Sequence, residues 1–272
     1  MITVPFLICL YAYFEALDVR ATYVTIHTSK LPPSTGQLTI AQISDVHLGM
    51  IIREGRLGRL IKLLQTENPD LIVSTGDLLD QEVDSINHLA DLLSVLRPRL
   101  GKYAVMGNHE FYAGPEKAAD FTVRAGFKLL RNECVRLPGL INIIGVDDPA
   151  ARRLGFPKRR IPALFDERDP DLFTLFLFHR PPNSEHYLDR LPIDLQLSGH
   201  THGGQLFPFR MATMIFYPLK SGFYRLENRY LYVSRGAGTW GPPLRFLTPP
   251  EIVVVKLVRS NSSAESGVRN AE

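Results

Sequence analysis

Thiolate chemistry is nearly absent from this sequence. Its 272 residues include two cysteines, Cys9 and Cys134, and no CxxC pair. That excludes a thiolate zinc site and a disulfide framework, and two buried free thiols are the expected state. Strong charge of either sign is also missing. The formal net charge is +3, from 31 basic and 28 acidic side chains, so electrostatics makes no case for nucleic acid. No internal repeat is visible. The apolar fraction of 45% and charged fraction of 22% are those of an ordinary globular chain with a full core. At this length a single large α/β domain fits.

Long hydrophobic runs are missing as well. The apolar part of the N-terminal segment, Ile2 to Phe14, covers about 13 residues, where a full membrane span needs about 20. It has no basic n-region and no small-residue cleavage site, so it is a poor signal peptide. Three readings stay open: a buried helix, an interfacial helix, or the tail of a membrane helix that begins upstream. Tyr11 and Tyr13 stand where interfacial aromatics would lie, which favours the membrane readings. Residues 1–19 are therefore set apart as an apolar segment. Membrane-associated and cytoplasmic locations both remain compatible with it.

What remains, residues 20–259, reads as one domain. Apolar runs over 38–43, 71–75 and 102–106 predict strands. They alternate with helical spacing in Leu57-Leu60-Ile61-Leu64, in Leu89-Leu92-Leu93-Leu96 and over 116–125. That order predicts a parallel sheet with crossover helices. The second half is richer in strands, over 141–146, 173–178, 195–197 and 251–258, with a hairpin around Glu227-Asn228-Arg229. The expected fold is α/β, with two packed mixed β-sheets flanked by helices in a four-layer sandwich. Residues 260–272 are polar and expected to be disordered.

Five short segments each follow an apolar strand: Asp45-Val46-His47, Gly76-Asp77-Leu78-Leu79-Asp80, Gly107-Asn108-His109-Glu110, His179, and Gly199-His200-Thr201-His202-Gly203-Gly204-Gln205. In α/β sheets the crevice beyond the strand C-termini binds ligands, so residues more than a hundred positions apart would meet there. Carboxylate oxygen, imidazole nitrogen and amide oxygen together suit divalent Mn, Fe or Zn. A carboxylate in the middle of such a set can bridge two ions, which clamp a phosphate and activate a water. The glycines permit positive φ and close approach of the chain.

The five segments resemble the calcineurin-like metallophosphoesterase family in the order D-x-H, G-D-x-x-D, G-N-H-[DE], H, G-H-x-H, with nothing missing. The run Ser234-Arg235-Gly236-Ala237-Gly238 and Pro249-Pro250-Glu251-Ile252 resembles its bacterial phosphodiesterase-like branch. The resemblance implies two divalent metal ions. Asp45, His47 and His202 would hold the first, and Asn108, His179 and His200 the second. Asp77 would bridge, and His109 would bond the phosphate or protonate the leaving oxygen rather than bind metal. It implies hydrolysis of phosphate mono-, diester or pyrophosphate bonds by a metal-bridging hydroxide. The expected partner is a phosphate-ester substrate. Lipid linkage or a membrane surface is suggested by the apolar N-terminus and the apolar stretch Met211, Met214, Ile215, Phe216 and Tyr217. A monomer is expected.

Blander readings apply elsewhere. His27, His88 and His186 read as structural or surface residues, and Asp80 and Glu110 as support around the site. Arg180 could reach a phosphate or pair with a surface carboxylate. Lys158-Arg159-Arg160 reads first as a solvated loop, and 211–217 first as core. The competing functions are a non-catalytic scaffold of this fold and a nuclease.

Overall fold

The computed structural model describes residues 3–80, 86–156, 161–182, 191–208, 211, 213, 215, 217–226, 229–260 and 268–270. The chain opens with helix α1 (Thr3–Glu15), then strands β1 (Arg20–Thr28) and β2 (Gln37–Ile43). There follow α2 (Glu54–Glu67), β3 (Leu71–Ser74), α3 (Asn87–Ser94), β4 (Lys102–Ala104), α4 (Asn108–Ala113) and α5 (Pro115–Arg124). Next come β5 (Lys128–Leu129), β6 (Glu133–Leu137), β7 (Ile141–Val146), α6 (Ala150–Arg153), α7 (Ile161–Phe165), β8 (Phe173–Phe178) and β9 (Leu195–Ser198). The chain ends with β10 (Gly222–Leu226), β11 (Arg229–Val233), β12 (Glu251–Arg259) and β13 (Val268–Asn270).

The helices form where the apolar spacing predicts them. α2 buries Leu57, Leu60, Ile61 and Leu64, one face at i, i+3, i+4 and i+7. It stops at Asn68, which takes the left-handed conformation and donates its N–H to Leu64 O. α5 starts on Pro115, whose missing N–H costs nothing in a first turn.

Among the described residues thirteen strands make two sheets. The seven-stranded sheet runs β13-β1-β12-β2-β3-β4-β5, and the six-stranded sheet runs β10-β11-β9-β8-β7-β6. β2, β3 and β4 are mutually parallel, as are β7, β8, β9 and β11. Successive residues of a strand face opposite layers. Ile40, Leu71 and Val73 therefore meet Ile143, Leu175 and Leu197 of the other sheet. Their neighbours Ala41, Ile43 and Ile72 pack instead on Leu57, Leu89 and Phe121 of the helices. The six-stranded sheet covers its outer face with Leu164 and Phe165 of α7. The four layers are those the sequence predicts.

Four details differ from expectation. α4 is a helix within what reads as a site loop, and β5 and β6 add short edge strands. Val268–Asn270, placed in the disordered tail, pair antiparallel with β1; most of that tail lies outside the described residues. Neither cysteine is buried: Cys9 is exposed and Cys134 half-buried, and no disulfide links them. Lys158-Arg159-Arg160, His186, Met214 and Phe216 lie outside the described residues.

Candidate metal centre

The parallel strands aim their C-terminal ends at one crevice. Asp45 and His47 follow β2, Asp77 follows β3, Asn108 opens α4 just past β4, His179 follows β8, and His200 and His202 follow β9. Backbone bonds weld these loops together. Asp45 N–H donates to Gly76 O, His47 N–H to Asp77 O, and Gly199 N–H to His179 O. The turns are tight enough that five of the seven site residues take positive φ: Asp45, His47, Asp77, His200 and His202. Such strain in non-glycine residues persists only where surrounding structure enforces it, and it clusters at functional sites. At Gly107 a Cβ would lie 2.2 Å from Asp77 Oδ1, and at Gly199 2.1 Å from Asp45 Oδ2. Both glycines are thus required by close approach.

Two groups of donor atoms result, each within 4.8 Å internally: Asp45, His47 and His202, and Asp77, His179 and His200. His47 Nε2 and His202 Nε2 face each other at 3.0 Å, and His179 Nε2 faces His200 Nδ1 at 3.2 Å. Asp77 stands between the groups. Its Oδ1 accepts the His109 N–H at 2.9 Å, while Oδ2 lies 3.1 Å from His179 Nε2 and 3.9 Å from His47 Nε2. A further group, His47, Asp80 and His109, meets the same distance criterion. There the His109 Nδ1–Asp80 Oδ1 contact of 3.1 Å forms a histidine–carboxylate pair instead.

The residues fit divalent cations. Asn108 Oδ1 and His47 Nδ1 are buried with no hydrogen-bond partner, a costly state for polar atoms unless something else engages them. Outer contacts orient the rings, as they do around metal ligands. His179 Nδ1 lies 2.9 Å from Thr75 O, where it can only donate, which leaves Nε2 free to ligate. His200 Nε2 meets the Tyr217 hydroxyl at 2.8 Å, which frees Nδ1. Glu110 accepts the N–H groups of Asp77, Gly107 and Leu79 and fixes the turn that carries Asp77.

Burial sets the charge states. It pushes His47 and His200 down to about 3 and His202 well below its usual range, so these rings stay neutral with lone pairs available. Burial opposes charge on His179 too, but Asp77, with Asp45 and Asp148, raises it to about 10. Asp45 is raised to about 6, chiefly by burial. For Asp77, burial is outweighed by His179 and His47, which hold it below the carboxylate range. A cation entering here must displace a proton from His179.

Three participants are invisible in the sequence pattern. Arg245 is fully buried and donates to the carbonyls of His202, Gly238 and Thr248, with Nη2 3.2 Å from His202 Nδ1. Its charge adds to burial in keeping His202 unprotonated. Tyr217 and Trp240, with Leu206 and Pro242, form the far wall of a cavity of about 500 Å³ whose floor is Asp77, Asn108, His109 and His200. Arg180 turns away, binding buried Asp148 through Nε at 2.6 Å and Nη2 at 3.1 Å. Of the two readings of Arg180, the carboxylate pair forms, but its partner Asp148 is buried rather than at the surface.

Fold and site together define a metal-dependent phosphoric ester hydrolase. A sequence profile described as calcineurin-like phosphoesterase matches residues 38–204, and the chain belongs to that family. A metallophosphoesterase of Aquifex aeolicus is 37% identical over 91% of this chain and 95% of its own length. Metallophosphoesterase YkuE of Bacillus subtilis is 34% identical over 92% of this chain and 89% of its own. A protein of Danio rerio named transmembrane protein with metallophosphoesterase domain is 33% identical over 86% of this chain; the match spans 56% of that protein.

Proposed function

We propose that this chain hydrolyses phosphate mono-, diester or pyrophosphate bonds at two divalent ions of the Mn, Fe or Zn class. The observation that carries the reading is the pair of donor groups with Asp77 Oδ2 facing both. Asp45, His47 and His202 would hold one ion and Asn108, His179 and His200 the other, with Asp77 shared. Two such ions neutralise a phosphate and lower the pKa of a water between them. His109, oriented by Asp80, is the general acid for the leaving oxygen.

The cavity wall of Leu206, Tyr217, Trp240 and Pro242 favours an ester with an apolar moiety. α1 bears large exposed apolar side chains, and the Danio relative is by name a transmembrane protein. These support a lipid-linked substrate. No helix among the described residues is long and apolar enough to cross a membrane. The test is removal of metal with a chelator, then restoration with Mn²⁺, on soluble mono-, di- and pyrophosphate esters. Turnover should vanish and return. Full turnover by metal-free protein would end the two-ion reading.

A further inference from the structure

From Thr3 to Tyr11 every residue of α1 is exposed, and the helix touches the domain only through its last turn. Val4, Phe6, Leu7, Ile8 and Leu10 point in all directions around the axis and are 42–66% exposed. No residue from Thr3 to Phe14 is charged. A helix that is apolar all round suits immersion in an apolar medium, whereas a flat protein partner would cover one face only.

The base of this helix adjoins the mouth of the metal crevice. Tyr11 packs edge-on against Phe246 with ring centroids 5.9 Å apart. The Arg245 N–H donates to Ala12 O, and the Phe246 N–H donates to Gln205 O. Gln205 binds Trp240 O through its side chain. Trp240, which lines the cavity, is 60% exposed; Met211 and Ile215, either side of the cavity residue Thr213 in sequence, are 63 and 78% exposed; and Met50 and Ile51, in the loop that leaves His47, are 72 and 49% exposed. Single exposed apolar residues are ordinary, but several on segments that also carry cavity or site residues are not.

Between helix and rim lies a row of arginines on α2 and its approach. Arg53 binds Gly49 O, Arg56 binds Pro243 O and Thr239, and Arg59 binds Leu17 O. Spaced three apart, they share one side of the helix. Among the described residues none of the three forms an ion pair with a carboxylate. Guanidinium groups placed between immersed apolar side chains and the domain sit where lipid phosphates lie, and their geometry matches phosphate oxygens.

We infer that α1, the apolar rim and Arg53, Arg56 and Arg59 form one docking surface for an anionic phospholipid bilayer, with the metal crevice opening onto the headgroup layer. Docking stands on geometry alone; what the docked site then acts on rests on the phosphoesterase reading. A lipid-borne phosphate ester would reach the crevice without leaving the membrane.

Trp240 is the one tryptophan of the chain, so it reports on the rim directly. The full chain is mixed with vesicles of phosphatidylcholine alone or with a third phosphatidylglycerol. Trp240 emission should shift to the blue and be quenched by bromine-labelled acyl chains. Arg53→Glu with Arg59→Glu should weaken partition onto the anionic vesicles by at least about tenfold, on the order of 1 kcal/mol per arginine near the surface. Leu7→Glu with Leu10→Glu should abolish binding to both vesicle types. All variants should keep wild-type turnover of a soluble ester, which serves as the folding control. Co-sedimentation with unshifted Trp240 emission would overturn the proposal, because the crevice would then face away from the lipid. So would charge-reversed protein that partitions like wild type. Self-association through α1 without vesicle binding would overturn it too. A chain that docks but hydrolyses no soluble ester would instead sink the phosphoesterase reading and leave the docking surface standing.

Discussion

The metal crevice and helix α1 break the same rule in opposite directions. In the crevice, Asp45 and His179 are completely buried; on α1, Phe6 and Phe14 are about three-fifths exposed, at 62 and 60%. Their support differs. The crevice loops are braced by neighbours: Glu110 fixes the Asp77 turn, Thr75 O orients His179, and Arg245 fixes the His202 loop. Among the described residues nothing covers the outer turns of α1. Buried polarity on braced loops, with Asn108 Oδ1 and His47 Nδ1 left open, is a site built in advance. Exposed apolarity without support implies a partner outside the chain.

If the crevice is that interdependent, Asp77→Asn should have the largest effect of any single change. It halves the charge available to two ions while leaving the fold intact. Turnover should fall at least ~10³-fold, since metal assistance is worth several kcal/mol, and metal analysis should find less than two ions bound. Full occupancy with wild-type turnover would rule out the shared role. His109→Ala comes next. It should retain both ions and lose ~10²–10⁴-fold in kcat with little change in KM, the usual worth of general acid help. Loss of metal in this variant would make His109 a ligand. Glu110→Gln should be milder, weakening metal affinity ~10–100-fold through the Asp77 turn it supports; a dialysis titration reads this.

The charge states sharpen the contrast, because only the crevice should respond to pH. Both Asp45 and His179 have raised pKa values without metal, about 6 and about 10. Below about pH 6 each therefore carries a proton that an incoming cation must displace. Between 6 and 10 only His179 does. Metal affinity should rise with pH, more steeply below 6 than above. Calorimetry in buffers of different ionisation heat should count about two protons released near pH 5 and about one near pH 8. Equal counts at the two pH values would contradict this assignment of protons.

The crevice was legible in the sequence, whereas α1 was left with three readings, for physical reasons. A two-sheet core leaves long apolar runs, and ligands placed at strand ends leave short, spaced motifs, so Asp45 through His202 could be found from spacing and family resemblance. Their left-handed backbones were hidden, because only the glycines beside them advertise tight turns. Arg245 was missed because a lone arginine in a proline-rich loop has no spacing partner. Tyr217 was missed because an aromatic in an apolar stretch reads as core. β6, ECVRL, is a half-buried edge strand without strong alternation. α4 carries site residues where an apolar stripe would otherwise mark a helix. For α1, thirteen apolar residues are compatible with a core helix, and sequence alone carries no term for which neighbours come to cover it.

Truncation gives the smallest effect and cuts the comparison most finely. The boundary between free and attached helix falls at Tyr11. Deleting Met1 to Leu10 removes only exposed side chains among the described residues. Melting temperature and turnover of a soluble ester should not change, while vesicle binding should fall. Deleting Met1 to Ala16 goes further. It removes the Tyr11–Phe246 contact and the Ala12 carbonyl that accepts the Arg245 N–H, and it exposes surface that Ala12 and Ala16 cover. A lost backbone hydrogen bond and one aromatic contact amount to about 1–2 kcal/mol, or roughly 2–8 °C in a domain of this size. Because Arg245 also grips the His202 carbonyl, the longer deletion should lower metal affinity at the His202 site slightly as well. If the shorter deletion lowers the melting temperature as much as the longer one, the first turns of α1 are part of the core in solution. The helix would then belong with the crevice, and the contrast between supported and unsupported surface would disappear.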